Sequence, residues 1–168
     1  MELHRVLGVP SDYSVNHRLP FHSEATDDQL VEIGRTADDR PIRLFTPAAA
    51  AWLTIRSAAA GDGLELIPIS GFRSIARQAE IIQRKRAAGE ASADILRYIA
   101  APGFSEHHSG RALDIASPEH IELDADFART AAFRWLQSHA GHFGFSLSYP
   151  ENGDRGIGFE PWHWCWSA

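Results

Sequence analysis

The chain has 168 residues, of which 44% are hydrophobic and 23% charged, a globular composition that excludes a fibrous or low-complexity protein. Its 16 basic and 22 acidic residues leave a formal charge of −6, so nucleic acid is not an expected partner, because gripping a phosphate backbone takes an excess of Lys and Arg. The one cysteine, Cys165, excludes an internal disulfide framework. Residues 1–30 show no signal-peptide pattern, and no apolar run approaches the roughly 18 residues of a membrane span. A cytoplasmic protein without a membrane partner is therefore expected; the oligomeric state is not legible.

The length suits one domain with a short extension. Residues 1–40 are turn-rich and weakly periodic and read as an N-terminal extension packed on a domain spanning 41–168, with a short helix around Asp27–Ile33. Ile42–Phe45 reads as a strand. Thr46 as N-cap, with Pro47 at the first helical position, opens a helix that Gly61 closes. Leu64–Ile69 is a second strand. Ile75, Ala79 and Ile82 recur at helical spacing, predicting a helix from Ile75 to Ala88 that ends at Gly89. Ser92 caps a short helix that Pro102-Gly103 ends, and Arg111–Ala116 follows as a strand. Phe127, Ala131, Trp135 and Leu136 form one helical stripe with Gly141 as its stop, and Phe145–Tyr149 and Trp162–Trp166 read as closing strands. Later strands joined by short loops predict an α+β fold, with a small, mostly antiparallel sheet flanked by helices.

Spacing must choose among nine histidines. His4, His17, His22, His120, His139 and His142 lack convergent chemistry and read as surface or hydrogen-bonded residues. His107 stands seven residues before Asp114, in a loop feeding a strand that can fold it back towards that carboxylate. In the closing strand, period two puts Trp162, Trp164 and Trp166 on one face and His163 with Cys165 on the other. Two histidines and an aspartate suit an open zinc site, with water in the fourth position. Glu160, three residues before His163, is placed to take a proton from that water. Spacing alone leaves a chance meeting of these residue types open. Cys165 is two residues, about 6.6 Å, along the strand from His163 and reads as a small buried residue. Glu106 and Arg111 read as exposed loop charges.

Three motifs then converge: Ser70-Gly71-Phe72-Arg73-Ser74 with Gln78, Ser105-x-His107-x-x-Gly110-x-Ala112-x-Asp114, and Glu160-Pro161-Trp162-His163. Their order and content resemble the VanY-like D-alanyl carboxypeptidases, zinc peptidases of the Hedgehog/D,D-peptidase fold that trim bacterial cell-wall peptides. The resemblance covers about residues 65–166 and makes 41–168 a zinc carboxypeptidase domain. It implies Zn²⁺ bound by His107, Asp114 and His163, Glu160 as general base and acid, and Arg73 on the scissile carbonyl oxygen. Gln78 and Ser105 would line the pocket for a terminal D-alanine. An edge of the anchoring strand must border the metal, so Trp162 or Trp164 is expected to form a wall of the cleft. His108 competes for the ligand role, but the Ser-x-His-x-x-Gly register selects His107. The implied substrate is a peptidoglycan peptide ending in D-alanine. For a cytoplasmic enzyme, L,D-cleavage of recycled tetrapeptides is expected over D,D-cleavage of pentapeptide precursors. A phage-type murein endopeptidase and a non-catalytic zinc-containing binding module are the competing readings; Glu160 and Arg73, which a structural zinc site does not need, weigh against the second.

Overall fold

The computed structural model describes residues 2–167. Two short helices, α1 (Glu2–Leu7) and α2 (Tyr13–His17), precede a hairpin of β1 (Leu30–Arg35) and β2 (Pro41–Phe45). The chain continues through α3 (Thr46–Gly61), β3 (Ile67–Ser70), α4 (Ile75–Ala87), α5 (Ser92–Ile95) and β4 (Ala112–Ala116). It closes with α6 (Ala131–His139), β5 (Phe145–Leu147) and β6 (His163–Trp166). The main sheet has four strands in the order β3-β4-β6-β5, every neighbour antiparallel, as the α+β reading expects. Among the described residues, no helix is long and apolar enough to cross a membrane.

Several local expectations move. The helix around Asp27–Ile33 is instead a 3-10 turn at Asp27–Gln29 running into β1. Leu30, Val31 and Ile33 are better accommodated on a pleated surface than in a helix. A tight return at Thr36–Arg40, closed by Thr36 N–H donating to Arg40 O at 2.9 Å, lays β2 alongside them. Phe45, not Thr46, caps α3, and the Thr46 hydroxyl donates to Gln29 O at 3.0 Å. Pro47 still sits in the first turn. Phe127 lies in a separate 3-10 turn; α6 starts after Thr130, whose hydroxyl accepts from Phe133 N–H at 3.0 Å. Pro68 falls within β3, where it is tolerated because β3 is an edge strand.

Two apolar clusters sandwich the sheet's chemistry. In α3, Ala48, Ala49, Trp52, Ile55 and Ala59 fall on one face and meet Leu113, Ile115, Phe133, Leu136 and Trp164 in the larger cluster. The smaller gathers Leu7, Val9, Tyr13 and Leu19 from the N-terminal segment with Ala79 and Ile82 of α4 and with Tyr149 and Ile157. β4, buried along its whole length, sends Leu113 and Ile115 into the larger cluster, so Asp114 between them faces the opposite way.

Candidate active site

Sheet register assembles the first part of the site. Ser70 of β3 pairs with Asp114 of β4, and Asp114 pairs with His163 of β6, so the three stand in one row across the sheet. Residues opposite each other on antiparallel strands point to the same face, so both the carboxylate and the imidazole leave the sheet on the side away from Leu113 and Trp164.

His107 arrives from the side, on a 3-10 turn at Glu106–Ser109 that ends in left-handed Gly110 at φ 69°. A side chain at Gly110 would also stand 2.7 Å from Leu30 Cδ2, so this turn needs glycine twice over. The loop after β3 holds the turn: Arg73 N–H donates to His107 O at 3.1 Å, and His107 Nδ1–H donates to Gly71 O at 2.7 Å. Gly71 is itself pressed against the Arg43 carbonyl of β2, leaving no room for a Cβ.

His107, Asp114 and His163 are all buried, and one ligand atom from each lies within 4.8 Å of the others. His107 Nε2 is 3.3 Å from Asp114 Oδ2, and His163 Nδ1 is 3.1 Å from Asp114 Oδ1. Ligand atoms arranged tetrahedrally at about 2.1 Å from one zinc ion stand about 3.4 Å apart, so these separations and this donor set fit the metal. The outer hydrogen bonds fit as well. Gly71 O fixes the proton of His107 on Nδ1 and leaves Nε2 for the ion, the usual arrangement around a metal-ligating histidine. His108 is excluded, because its Nδ1–H donates to Arg73 O at 2.6 Å while its Nε2 accepts from Gly103 N–H at 3.1 Å.

Charges are tightly coupled here. Burial opposes charging of His163, but hydrogen bonds to Asp114 and Glu106 outweigh it and push the imidazole up to about 10. Burial also disfavours the Asp114 carboxylate, yet His107 and His163 hold it well below the usual range. Burial raises Glu160 to about 7, with the Asp114 carboxylate adding to the effect and His163 and Arg73 opposing it. Glu160 Oε2 lies 3.9 Å from His163 Nδ1, which brings a carboxyl poised near neutrality against the ligand cluster.

Arg73 completes the constellation. Its Nη2 is 3.8 Å from Asp114 Oδ2 and donates to Ser70 Oγ at 3.0 Å, while Nη1 donates to Gln78 Oε1 at 3.0 Å. Gln78, on the buried face of α4, donates its amide to Ala100 O at 2.6 Å. Arg73, Gln78, Ser105, Trp162, Glu160 and the three candidate ligands all line one cleft of about 600 Å³. Its remaining wall is largely apolar, including Tyr98, Leu123, Tyr149 and Phe159.

Glu106 and Arg111, expected as exposed loop charges, are not exposed. Glu106 is 7% exposed, because its carboxylate accepts from His163, Ser148 and Arg155. Arg111 is half-buried, with its guanidinium over the rings of Phe45 and Trp166. Tyr149, whose ring centroid lies 4.9 Å from that of His163, was also invisible to spacing. A carboxylate directly before a candidate metal-ligand histidine is the one sequence signal for Glu106. Cys165, partly exposed rather than buried, stands outside the cluster.

A family model described as VanY, D-alanyl-D-alanine carboxypeptidase, matches residues 41–168. The chain belongs to the VanY family. Relatives of the VanY domain include YodJ of Bacillus subtilis (strain 168), 39% identical over 153 residues that cover 88% of this chain and 55% of that protein. A D-alanyl-D-alanine carboxypeptidase of Enterococcus faecalis is 33% identical over 117 residues, covering 64% of this chain and 42% of its own. The chain thus spans about half the length of these curated relatives. Among solved structures, the LD-carboxypeptidase LdcB superposes with a TM-score of 0.75 at 32% identity, covering 88% of this chain and 71% of that one. The vancomycin-resistance D,D-pentapeptidase VanY, solved in complex with Zn(II), gives 0.65 at 26%, covering 89% and 86%.

Proposed function

We propose that this VanY-family domain is a zinc carboxypeptidase that removes the C-terminal D-alanine from peptidoglycan peptides, with tetrapeptides and L,D-cleavage preferred. The observation that carries this reading is the convergence of His107, Asp114, His163, Glu160 and Arg73 on one cleft large enough for the end of a peptide. The likeness to LdcB supports the L,D preference. The likeness to a D-alanyl-D-alanine carboxypeptidase supports the second reading, D,D-cleavage of pentapeptides.

His107 Nε2, an Asp114 oxygen and His163 Nδ1 would hold the ion. When bound, zinc supplies a Lewis acid and lowers the pKa of water to about 7. The chain's own groups do the rest. Glu160, poised near neutrality, takes a proton from the attacking water and returns it to the leaving amine nitrogen of D-alanine. Arg73, pinned by Ser70 and Gln78, aims a planar fork of donors at the scissile carbonyl oxygen, whose charge grows in the transition state. The Ser105 hydroxyl and the second amide hydrogen of Gln78 receive the substrate's terminal carboxylate. Trp162 and Tyr149 flank the peptide and exclude water.

Release of D-alanine from murein tetrapeptide and pentapeptide, followed with a coupled D-amino-acid oxidase, tests the reading. Release from tetrapeptide supports it, and release from pentapeptide alone replaces it with the D,D reading. Clearing of purified sacculi without release of D-alanine points instead to an endopeptidase.

A further inference from the structure

We propose that Glu106 is a positioning residue for His163: its carboxylate fixes which ring nitrogen of His163 faces the metal, and Ser148 and Arg155 hold the carboxylate in place. The inference rests on the zinc reading above. Glu106 Oε2 accepts from His163 Nε2 at 2.9 Å and from the Ser148 hydroxyl at 2.6 Å, and Oε1 accepts from Arg155 Nη1 at 3.2 Å. An ionised carboxylate can only accept hydrogen bonds, so His163 must carry a hydrogen on Nε2. Nδ1, which faces Asp114 Oδ1 at 3.1 Å and also carries a hydrogen while the ring is charged, gives that hydrogen up when an ion takes its place, so Nδ1 is the atom offered to the metal. A carboxylate bonded to the far nitrogen of a ligand histidine fixes the ring's orientation and raises its basicity.

The support comes from well outside the 3-10 turn that carries Glu106. A buried carboxylate is costly unless paired, and the positive partner from outside the ligand cluster is Arg155, on the loop between β5 and β6. That loop is braced by the N-terminal segment. Arg18 Nη1 reaches Asp154 Oδ2 at 2.6 Å, and Gly156, at φ +69°, packs so closely on His17 that a Cβ would stand 2.7 Å from its ring. Residues before the hairpin thus buttress the loop from which Arg155 reaches Glu106.

The test is the zinc affinity of Glu106→Gln, measured by competition with a chromophoric chelator. It is paired with circular dichroism of the metal-free protein and ¹H–¹⁵N NMR of the His163 ring in the zinc-loaded protein. The expected result is a folded protein that binds zinc about 10- to 100-fold more weakly, with altered His163 ring-nitrogen signals. A folded variant that binds zinc within about twofold of the parent, with unchanged ring signals, overturns the inference. Should Glu106→Gln not fold, Ser148→Ala, which removes one of the bonds holding the carboxylate, decides. Weaker zinc binding supports the inference and parental affinity overturns it. Failure of the parent itself to bind zinc overturns the underlying reading instead, so the two failures are separable.

Discussion

Arg73 does not reach the site as a free surface arginine: its Nη1 donates to Gln78 Oε1 at 3.0 Å, and Gln78 is anchored in turn to Ala100 O at 2.6 Å. The guanidinium is therefore set by a relay from α4 and the segment after α5. Gln78→Leu removes that relay, and with it a donor to the substrate carboxylate, while preserving buried volume. We expect zinc affinity to stay at the parental level and kcat/KM to fall about 10- to 100-fold, the size of effect that small misplacements of a catalytic group produce. Steady-state kinetics beside a zinc titration checks this.

Arg73→Lys keeps a positive charge but loses the planar fork that bonds Ser70 and Gln78 at once. A fall in kcat of about 10²- to 10³-fold is expected, as for loss of one donor to a developing oxyanion. KM for the peptide should change much less, which an initial-rate series in substrate concentration reads directly.

Glu160→Gln should leave zinc bound and lower turnover by about 10²- to 10⁴-fold, the usual contribution of a general base. Burial raises the parent's Glu160 to about 7. The carboxylate is the active form, so parental activity should fall as pH drops through 7 or somewhat below, since a bound cation favours the carboxylate. The residual activity of Glu160→Gln should lack that limb. Its persistence in the variant would assign the titration to another group.

Tyr13 of α2 offers a stability test away from the site. Its hydroxyl accepts from Ala101 N–H at 3.1 Å, and burial pushes its pKa up to about 12 from 10.0. The folded state thus holds the proton more tightly than the unfolded one. That stabilisation is complete below pH 10 and is lost as pH rises through 12, an effect of about 2–3 kcal/mol. Tyr13→Phe should cost about 1 kcal/mol at pH 7 through the unpaired Ala101 N–H. It should also lose less stability than the parent between pH 9 and pH 12, by urea unfolding at each pH.

The sequence was most informative where function depends on strand register. Period two predicted that His163 leaves its strand opposite the tryptophans, and the resemblance carried by the Ser-x-His and Glu-Pro-Trp-His motifs joined it to Asp114, which the structure places on the adjacent strand and the same face. Hydropathy alone sends a loop carboxylate such as Glu106 to solvent. Its burial comes from Ser148 and Arg155, 42 and 49 residues away, and no local pattern records such partners. The strand at Leu30–Arg35, which overlaps the helix expected around Asp27–Ile33, is likewise decided by a distant partner, through pairing with Pro41–Phe45. Thr130, by contrast, was a legible capping signal, hidden by an apolar stripe that ran past it to Phe127.

The most direct measurement is mass spectrometry of the zinc-loaded protein incubated with murein tetrapeptide and, separately, pentapeptide, each with and without a chelator. The expected result is loss of one alanine from the tetrapeptide, abolished by the chelator and restored by added zinc. Tetrapeptide left intact by a protein shown to hold zinc, or cleavage that continues undiminished in the chelator, would contradict it.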